Sequence, residues 1–553
     1  MRSLFFVALA SCGYEAADVA PMAPAVDADM MELTIGTEPE VCDSVCRARR
    51  TDIFKSFVVV DPEILARFPL RRVLDQLAAM SGTASTADSI WRQWWSSQRE
   101  RTGGDPAQWP FCDDNGSTIN GFPIECPRAE SDLAAIPVES HTPVALFNRF
   151  DLAPTNGAHC GEYRIVYAKT DGLSGGGTDT GYPGIGVDPV NPTDPTPPRD
   201  TVDPVTGAPR PFLPPDPTVG GRNFIIFEGV LPNPHPECGP AACLEVAQFW
   251  QALSSEPNVT TRADRLEEFY FRGICGYEPV VKPEHYGLNC RDGSGYGGAC
   301  GQIRTNQFVQ RPWNLREYTL RTDSTTVTGG ELIVQQTTVA QNPHFSLFDS
   351  THPMFPGFKP DFLNQMTRQL PIPDDVNNIS AATSPRWDAG ESISQAGPGD
   401  NDYLPDPSFT LSIAGQLAAL GMPATVTPGD EAERATTQSC GGCHELSNFD
   451  DLGTTNGSGP STLWPPSLGF VHVDEASNLS PALLTEFLPH RQNIMAQFLL
   501  ATCGTRCIPR GGALVRDEDA AGNVFFDVKT KRQIQRQQIS IPAIQTMGGR
   551  LVH

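Results

Sequence analysis

The spacing Cys440-Gly441-Gly442-Cys443-His444 constrains this chain more than any other stretch of it. Two thiols about one helical turn apart can each close a thioether with one of the two vinyl groups of a haem, and the next residue then offers its imidazole to the iron. The approach to the motif suits that chemistry. Thr427-Pro428-Gly429-Asp430 reads as a helix start, with Thr at the N-cap, Pro at the first helical position and an acid at N3. A helix running from Pro428 into the motif presents both thiols on neighbouring turns.

Three other chemistries use the same residues. A thioredoxin-like redox pair shares the spacing, but that motif opens a helix directly after a buried strand, whereas this one closes a helix. A zinc site needs two more ligands, for which Cys503 and Cys507 are the nearby pair. A structural disulfide needs no His at all.

The segments around the motif resemble a small c-type cytochrome domain over residues 406–553. An apolar helix at 409–420 is stopped by Gly421 and Pro423, and the haem motif follows. A Gly/Ser/Thr/Pro loop then leads to Trp464-Pro465-Pro466, followed by His472 and helical stretches at 480–488 and 489–501. The resemblance implies one covalent haem c on Cys440 and Cys443, with His444 as proximal ligand and electron transfer as the task. It also implies a sixth iron ligand among His472, His490, Met495 and Met547. His472 is favoured, because it lies where a cytochrome chain returns across the distal haem face. Met495 instead falls with Ile494, Phe498 and Leu499 on an apolar stripe, which reads as core. Residues 508–553 run on beyond the resemblance, with a hairpin expected around 520–523.

The first residues point to export. Met1-Arg2 and the apolar run 3–10 read as a signal, and Leu9-Ala10-Ser11-Cys12 resembles the lipobox of bacterial lipoproteins. On that reading residues 1–11 are removed, Cys12 is lipidated, and the acidic, Ala/Pro-rich segment 12–40 is a flexible tether. Ordinary cleavage after Ala10 is the other possibility. Both place the protein in the periplasm or on the cell surface, and the first anchors it to a bacterial membrane through lipid alone. Of the 15 cysteines, setting aside Cys12, Cys440 and Cys443 leaves an even number for an oxidising compartment. The expected pairs are Cys42/Cys46, Cys112/Cys126, Cys238/Cys243, Cys290/Cys300 and Cys503/Cys507, with Cys160 and Cys275 left for each other. A net charge of −25 argues against nucleic acid as a partner. The cytochrome resemblance implies redox proteins as partners, and the sequence names neither the donor nor the acceptor.

The expected fold class is α+β and multidomain. A helical N-terminal region precedes a β-rich middle domain, the two together spanning 41–350. A linker at 351–405 then leads to a small, mainly α, cytochrome c-like domain at 406–553. The N-terminal region carries a helical segment from Asp61 to Gly82 and a Trp91, Trp94, Trp95 cluster that reads as packing. Strands are expected at 144–147, 163–167, 223–227, 317–320 and 331–335, and helices at 242–253, 261–274 and 360–369. Gly and Pro supply 50 and 51 of the 553 residues. Many of them fall in 171–221, which reads as a disordered surface insertion. In the middle domain Asn148, Arg149, Asp151, His141, His159, Glu162, Arg164 and Glu228 are candidate site residues, but they match no catalytic motif, and Arg149 with Asp151 suits an ion pair equally well. No catalytic residue is assigned. The alternatives to an electron carrier are a peroxidase-like oxidoreductase with its substrate site in the middle domain, and a surface binding lipoprotein without haem.

Overall fold

The computed structural model describes residues 51–94, 118–123, 137–169, 223–288 except 275, 301–307, 313–324, 329–365, 370, 375–394 except 382, 402–454, 461–502, 505–508 and 513–516. The signal, the tether, the 171–221 insertion, the 520–523 hairpin and Met547 lie outside these residues.

The fold is mixed α+β, built on one antiparallel sheet of eight strands. These are β1 (Val58–Val59), β2 (His141–Arg149), β3 (His159–Lys169), β4 (Asn223–Pro232), β5 (Gln302–Gln307), β6 (Trp313–Asp323), β7 (Glu331–Thr337) and β8 (Ser392–Ser394). Strands β1 to β6 lie side by side in that order, and β7 and β8 share the outer edge of β6. All five expected strands form. The strands not foreseen are the short β1 and β8, and β5, Gln-Ile-Arg-Thr-Asn-Gln, whose alternation places polar side chains on a face that sequence reading takes for solvent.

Side chains alternate across a pleated sheet, so each strand contributes to two different layers. One face carries Tyr163, Ile165, Tyr167, Phe227 and Ile303, all buried. Against it pack the helices α1 (Leu70–Met80), α2 (Ala87–Trp94), α3 (Leu244–Ser255) and α4 (Val259–Phe271). The contacts are aromatic: Tyr163 stacks on Trp250 at 5.7 Å and meets Phe269 edge-on at 4.8 Å, while Trp94 meets Phe227 at 6.0 Å. Helix α1 turns Leu70, Val73, Leu74, Leu77 and Ala78 inward, the i, i+3, i+4, i+7 pattern of a packed face. The expected continuous segment from Asp61 is broken. Residues Pro62–Leu65 form one turn, and Pro69 caps α1 with an extended backbone, since Pro has no N–H to continue the ladder.

The described C-terminal half carries α5 (Phe355–Gln365), α6 (Pro407–Ala419), α7 (Pro428–Thr436) and α8 (Leu488–Ala501), and parts of it pack on the opposite face and the outer edge of the sheet. Phe498 of α8 meets Phe150 at 4.7 Å, and Ser477 Oγ donates to Val144 O at 2.8 Å. The apolar core runs through both layers without a break.

Two expected disulfides are corrected. Cys160 of β3 is bonded to Cys243, so neither Cys238/Cys243 nor Cys160/Cys275 forms. Residues Pro236–Cys243 are 3₁₀-helical with a kink at Gly239, and five residues at ~2 Å rise span about 10 Å, beyond the ~7 Å Cα limit of a disulfide. Cys238 is itself disulfide-bonded.

Candidate functional site

Helix α7 delivers the motif. Thr427 Oγ1 accepts from Asp430 N at 3.2 Å, and Asp430 Oδ2 accepts from Thr427 N at 2.7 Å, a reciprocal capping box worth about 1 kcal/mol. After a turn at 437–439 the chain resumes helical form at Cys440, and Gly442–Leu446 is a π-helical turn in which Ser447 N donates to Gly442 O at 2.9 Å. Such wide turns recur at functional sites. Gly442 is there because nothing larger fits: a Cβ on it would stand 1.8 Å from Thr436 O.

Both thiols are fully buried and are not joined to each other. Burial pushes the Cys440 thiol well above its usual range, the reverse of what a reactive redox cysteine needs. Cys440 sits in a small apolar cluster with Trp313, Leu315, Val339 and Phe470. Cys443 Sγ lies 3.5 Å from His472 Nε2. Among the described residues no group of three or more His, Cys, Asp or Glu side chains is arranged to hold a metal ion; Cys503, needed by the zinc reading, lies outside them.

His444 is held by its Nδ1, which donates to Phe470 O at 2.9 Å. That bond fixes the tautomer: Nδ1 carries the proton and Nε2 the lone pair. Burial lowers the pKa of the ring to about 4, so it is neutral at neutral pH. The carbonyl is aimed by an unusual backbone, since Phe470 has φ +65°, a left-handed conformation rare for a bulky residue. Asn306 Nδ2, from β5, donates to the same oxygen at 2.8 Å. His472 Nδ1 is 2.9 Å from Ser480 Oγ, and the His444 and His472 ring centroids are 4.7 Å apart.

The two rings face a cavity of about 70 Å³, partly open to solvent and smaller than the ~300–1,000 Å³ span of small-molecule sites. Its floor is the sheet face turned away from α1–α4. Cross-strand register explains the composition. Phe147, Arg164, Glu228 and Gln302 are neighbours across β2 to β5; Val166, Ile226 and Arg304 form the next row, and Phe224, Asn306 and Leu315 the one after. The floor is therefore apolar toward Phe224 and Leu315 and charged toward Arg149 and Arg164. Val471, Val473, Leu483 and Arg491 complete the lining opposite.

The charged end is a buried ion-pair network. Arg149 forks onto Asp151, with Nε to Oδ1 at 3.0 Å and Nη2 to Oδ2 at 2.9 Å. Arg164 pairs with Glu162 at 2.5 Å and Glu228 at 3.0 Å, and Arg304 with Glu228 at 3.2 Å and Glu317 at 2.8 Å. Desolvation raises the pKa of Glu228 despite both guanidiniums.

Of the sequence candidates, the fold brings His444, His472, Arg149, Arg164 and Glu228 to one cavity, with Cys443 against His472 and Glu162 and Asp151 paired to the wall. His141 is buried elsewhere between Ser140, Asn223 and Trp91. His159 accepts from Gly161 N, away from the lining. Met495 is core, its Sδ 3.7 Å from Asn148 Nδ2, and neither it nor His490 lines the cavity. Sequence reasoning missed Arg304, Asn306, Phe470 and Arg491; the alternating polar positions of β5 were the available signal for the first two.

The donor chemistry, two thiols and two imidazoles of which one has its tautomer fixed, is of the kind a haem takes, and the cavity beside it is apolar at one end and lined by guanidiniums at the other. With the ring centroids 4.7 Å apart and about 70 Å³ enclosed, the cavity as it stands does not hold a macrocycle between them. The chain was also compared with known protein families, curated proteins and solved structures, and none of them matches it.

Proposed function

We propose that this chain is an exported, lipid-anchored protein that carries electrons on one haem c joined to Cys440 and Cys443. The observation that carries the reading is the His444–His472 pair, two imidazoles turned on one cavity beside the two thiols of the motif. When bound, the haem would supply the one-electron redox chemistry. The protein's own residues do the rest. His444 is the proximal ligand, kept in one orientation by the Phe470 carbonyl. His472, steadied by Ser480, is the second ligand, and two protein ligands suit electron transfer better than an open position does. Leu315, Val471, Val473 and Leu483 limit water at the apolar end. We read residues 406–553 as a cytochrome c-like unit.

A buried Cys160–Cys243 disulfide supports an oxidising compartment, and Cys12 is the proposed lipid site. Cys12→Ala should release the protein to the soluble fraction; unchanged membrane partition would reject the anchor.

The test of the haem reading is spectroscopic. Periplasmically matured protein should keep its haem through acid-acetone extraction, and should lose it in the Cys440→Ala/Cys443→Ala variant. Ferric protein should give the low-spin EPR and near-infrared signature of two His ligands, lost in His472→Ala. A high-spin ferric spectrum in the unmutated protein would reject the ligand pair and favour an oxidoreductase.

A further inference from the structure

Among the residues lining the cavity there are four guanidiniums and one carboxylate. Arg149, Arg164 and Arg304 come from β2, β3 and β5 and Arg491 from α8, while Glu228, on β4 between them, is the lone acid of the lining. Glu228 is fully buried and divided between Arg164 Nη1 and Arg304 Nε. Asp151, Glu162 and Glu317 pair with the guanidiniums from outside the lining, so the charges balance while the groups lining the cavity at that end are mainly guanidiniums. Arg164, only 8% exposed, has its Nη2 buried without a protein hydrogen-bond partner. Buried donors are nearly always satisfied, so an unsatisfied one on a cavity wall marks the place of a ligand acceptor. The planar fork of a guanidinium matches a carboxylate in geometry as well as in charge. The other end of the same floor is apolar, so a ligand spanning both ends has an apolar body and an acidic group at one edge.

We propose that this guanidinium wall is a carboxylate-binding site, so that the sheet completes the cavity whose other side carries the haem motif. Two sources can supply the carboxylate: the acidic side groups of a haem held at Cys440 and Cys443, or a free small organic acid. The first source rests on the haem reading, whereas the site itself does not.

The test titrates the full-length exported chain with benzoate, with benzyl alcohol as the uncharged control. The haem-free Cys440→Ala/Cys443→Ala form should bind benzoate and not benzyl alcohol, and Arg164→Gln in that background should weaken benzoate at least tenfold. If Arg164→Gln does not fold, Arg164→Lys, which keeps the charge and loses the fork, should still weaken it several-fold. Haem-loaded protein that no longer binds benzoate assigns the wall to the haem's own carboxylates. Haem-loaded protein that binds it as before assigns the wall to a free acid. Equal binding of benzoate and benzyl alcohol, no binding of benzoate, or an unchanged affinity in the folded Arg164 variants overturns the proposal. A wild-type chain without covalent haem would sink the proposed function and leave this titration decisive for the wall.

Discussion

Replacing Gly442 by Ala tests whether the motif's turn is locked by its own backbone. The added Cβ would lie 1.8 Å from Thr436 O, 2.5 Å from Thr436 C and 2.9 Å from Ser439 Oγ, and real Cβ atoms essentially never approach within 3.0 Å, so something must move by at least 1.2 Å. Neither neighbour yields easily. Thr436 is buried, and its Oγ1 accepts from Tyr403 N at 3.0 Å. Its carbonyl accepts from Ser439 N and Ser439 Oγ, both at 2.9 Å, and Ser439 Oγ in turn accepts from Gly442 N at 2.9 Å. Disturbing these three bonds costs about 1 kcal/mol each. Overpacking adds ~1–3 kcal/mol, and the smaller unfolded-state entropy of Ala returns about 0.4–1 kcal/mol. The expected net loss is about 3–6 kcal/mol, read from urea or thermal unfolding. Gly415→Ala is the internal control. It lies exposed on α6 with nothing within 4 Å of its Cβ, so it should be neutral or stabilise by up to ~1 kcal/mol. If Gly442→Ala unfolds within ~1 kcal/mol of Gly415→Ala, the argument that this turn admits only Gly is refuted.

Two further outcomes follow from the fold. The Cys160–Cys243 bond closes a loop with a sequence separation of 83, for which chain entropy gives about 4.5 kcal/mol, so the Cys160→Ala/Cys243→Ala variant should lose stability on that scale. A loss under ~1 kcal/mol would show that the unfolded chain is constrained by other means. Acid should also destabilise the chain through His141 and His159, whose pKa values burial lowers to about 4. Their neutral forms contribute in full above the ordinary value of ~6.5, and that contribution drains as pH falls from there toward 4, about 2 kcal/mol each by pH 5. Unfolding free energy measured against pH should therefore fall less steeply across this window in His141→Gln than in the parent; identical slopes would contradict the buried neutral ring.

How much could be read in advance differs by element. The five strands with apolar or alternating runs, and helix α7 with its Thr-Pro-x-Asp start, were legible because their signals are local. Trp91 and Trp94 do pack, as their helical spacing implies. Strand β5 was not legible, because Gln302, Arg304 and Asn306 look like solvent positions, whereas Arg304 and Asn306 line the cavity and Gln302 donates to the buried Glu228. The Cys160–Cys243 bond was not legible either, since proximity in sequence favours Cys238, and only the meeting of β3 with the 3₁₀ segment brings the true partner into range. Asp61 to Gly82 kept its apolar periodicity across Pro69, which hid the break.

The site shows the same division between local and assembled information. The thiols and His444 follow from five consecutive residues, yet almost everything that holds them comes from far away. Gly441 N donates to Ser392 Oγ of β8 at 2.8 Å, and Cys440 is packed by Trp313 and Leu315 of β6. The orientation of His444 passes through Phe470 to Asn306, whose Oδ1 is in turn held by Trp313 Nε1 at 2.5 Å. A turn at Phe470 with φ +65° is costly by itself, and the two hydrogen bonds converging on its carbonyl are what offset that cost. The sheet therefore does more than share a core with the motif: it sets which nitrogen of His444 carries the proton and which keeps its lone pair. A spacing pattern can single out this imidazole, but only the register of β5 and β6 determines its tautomer.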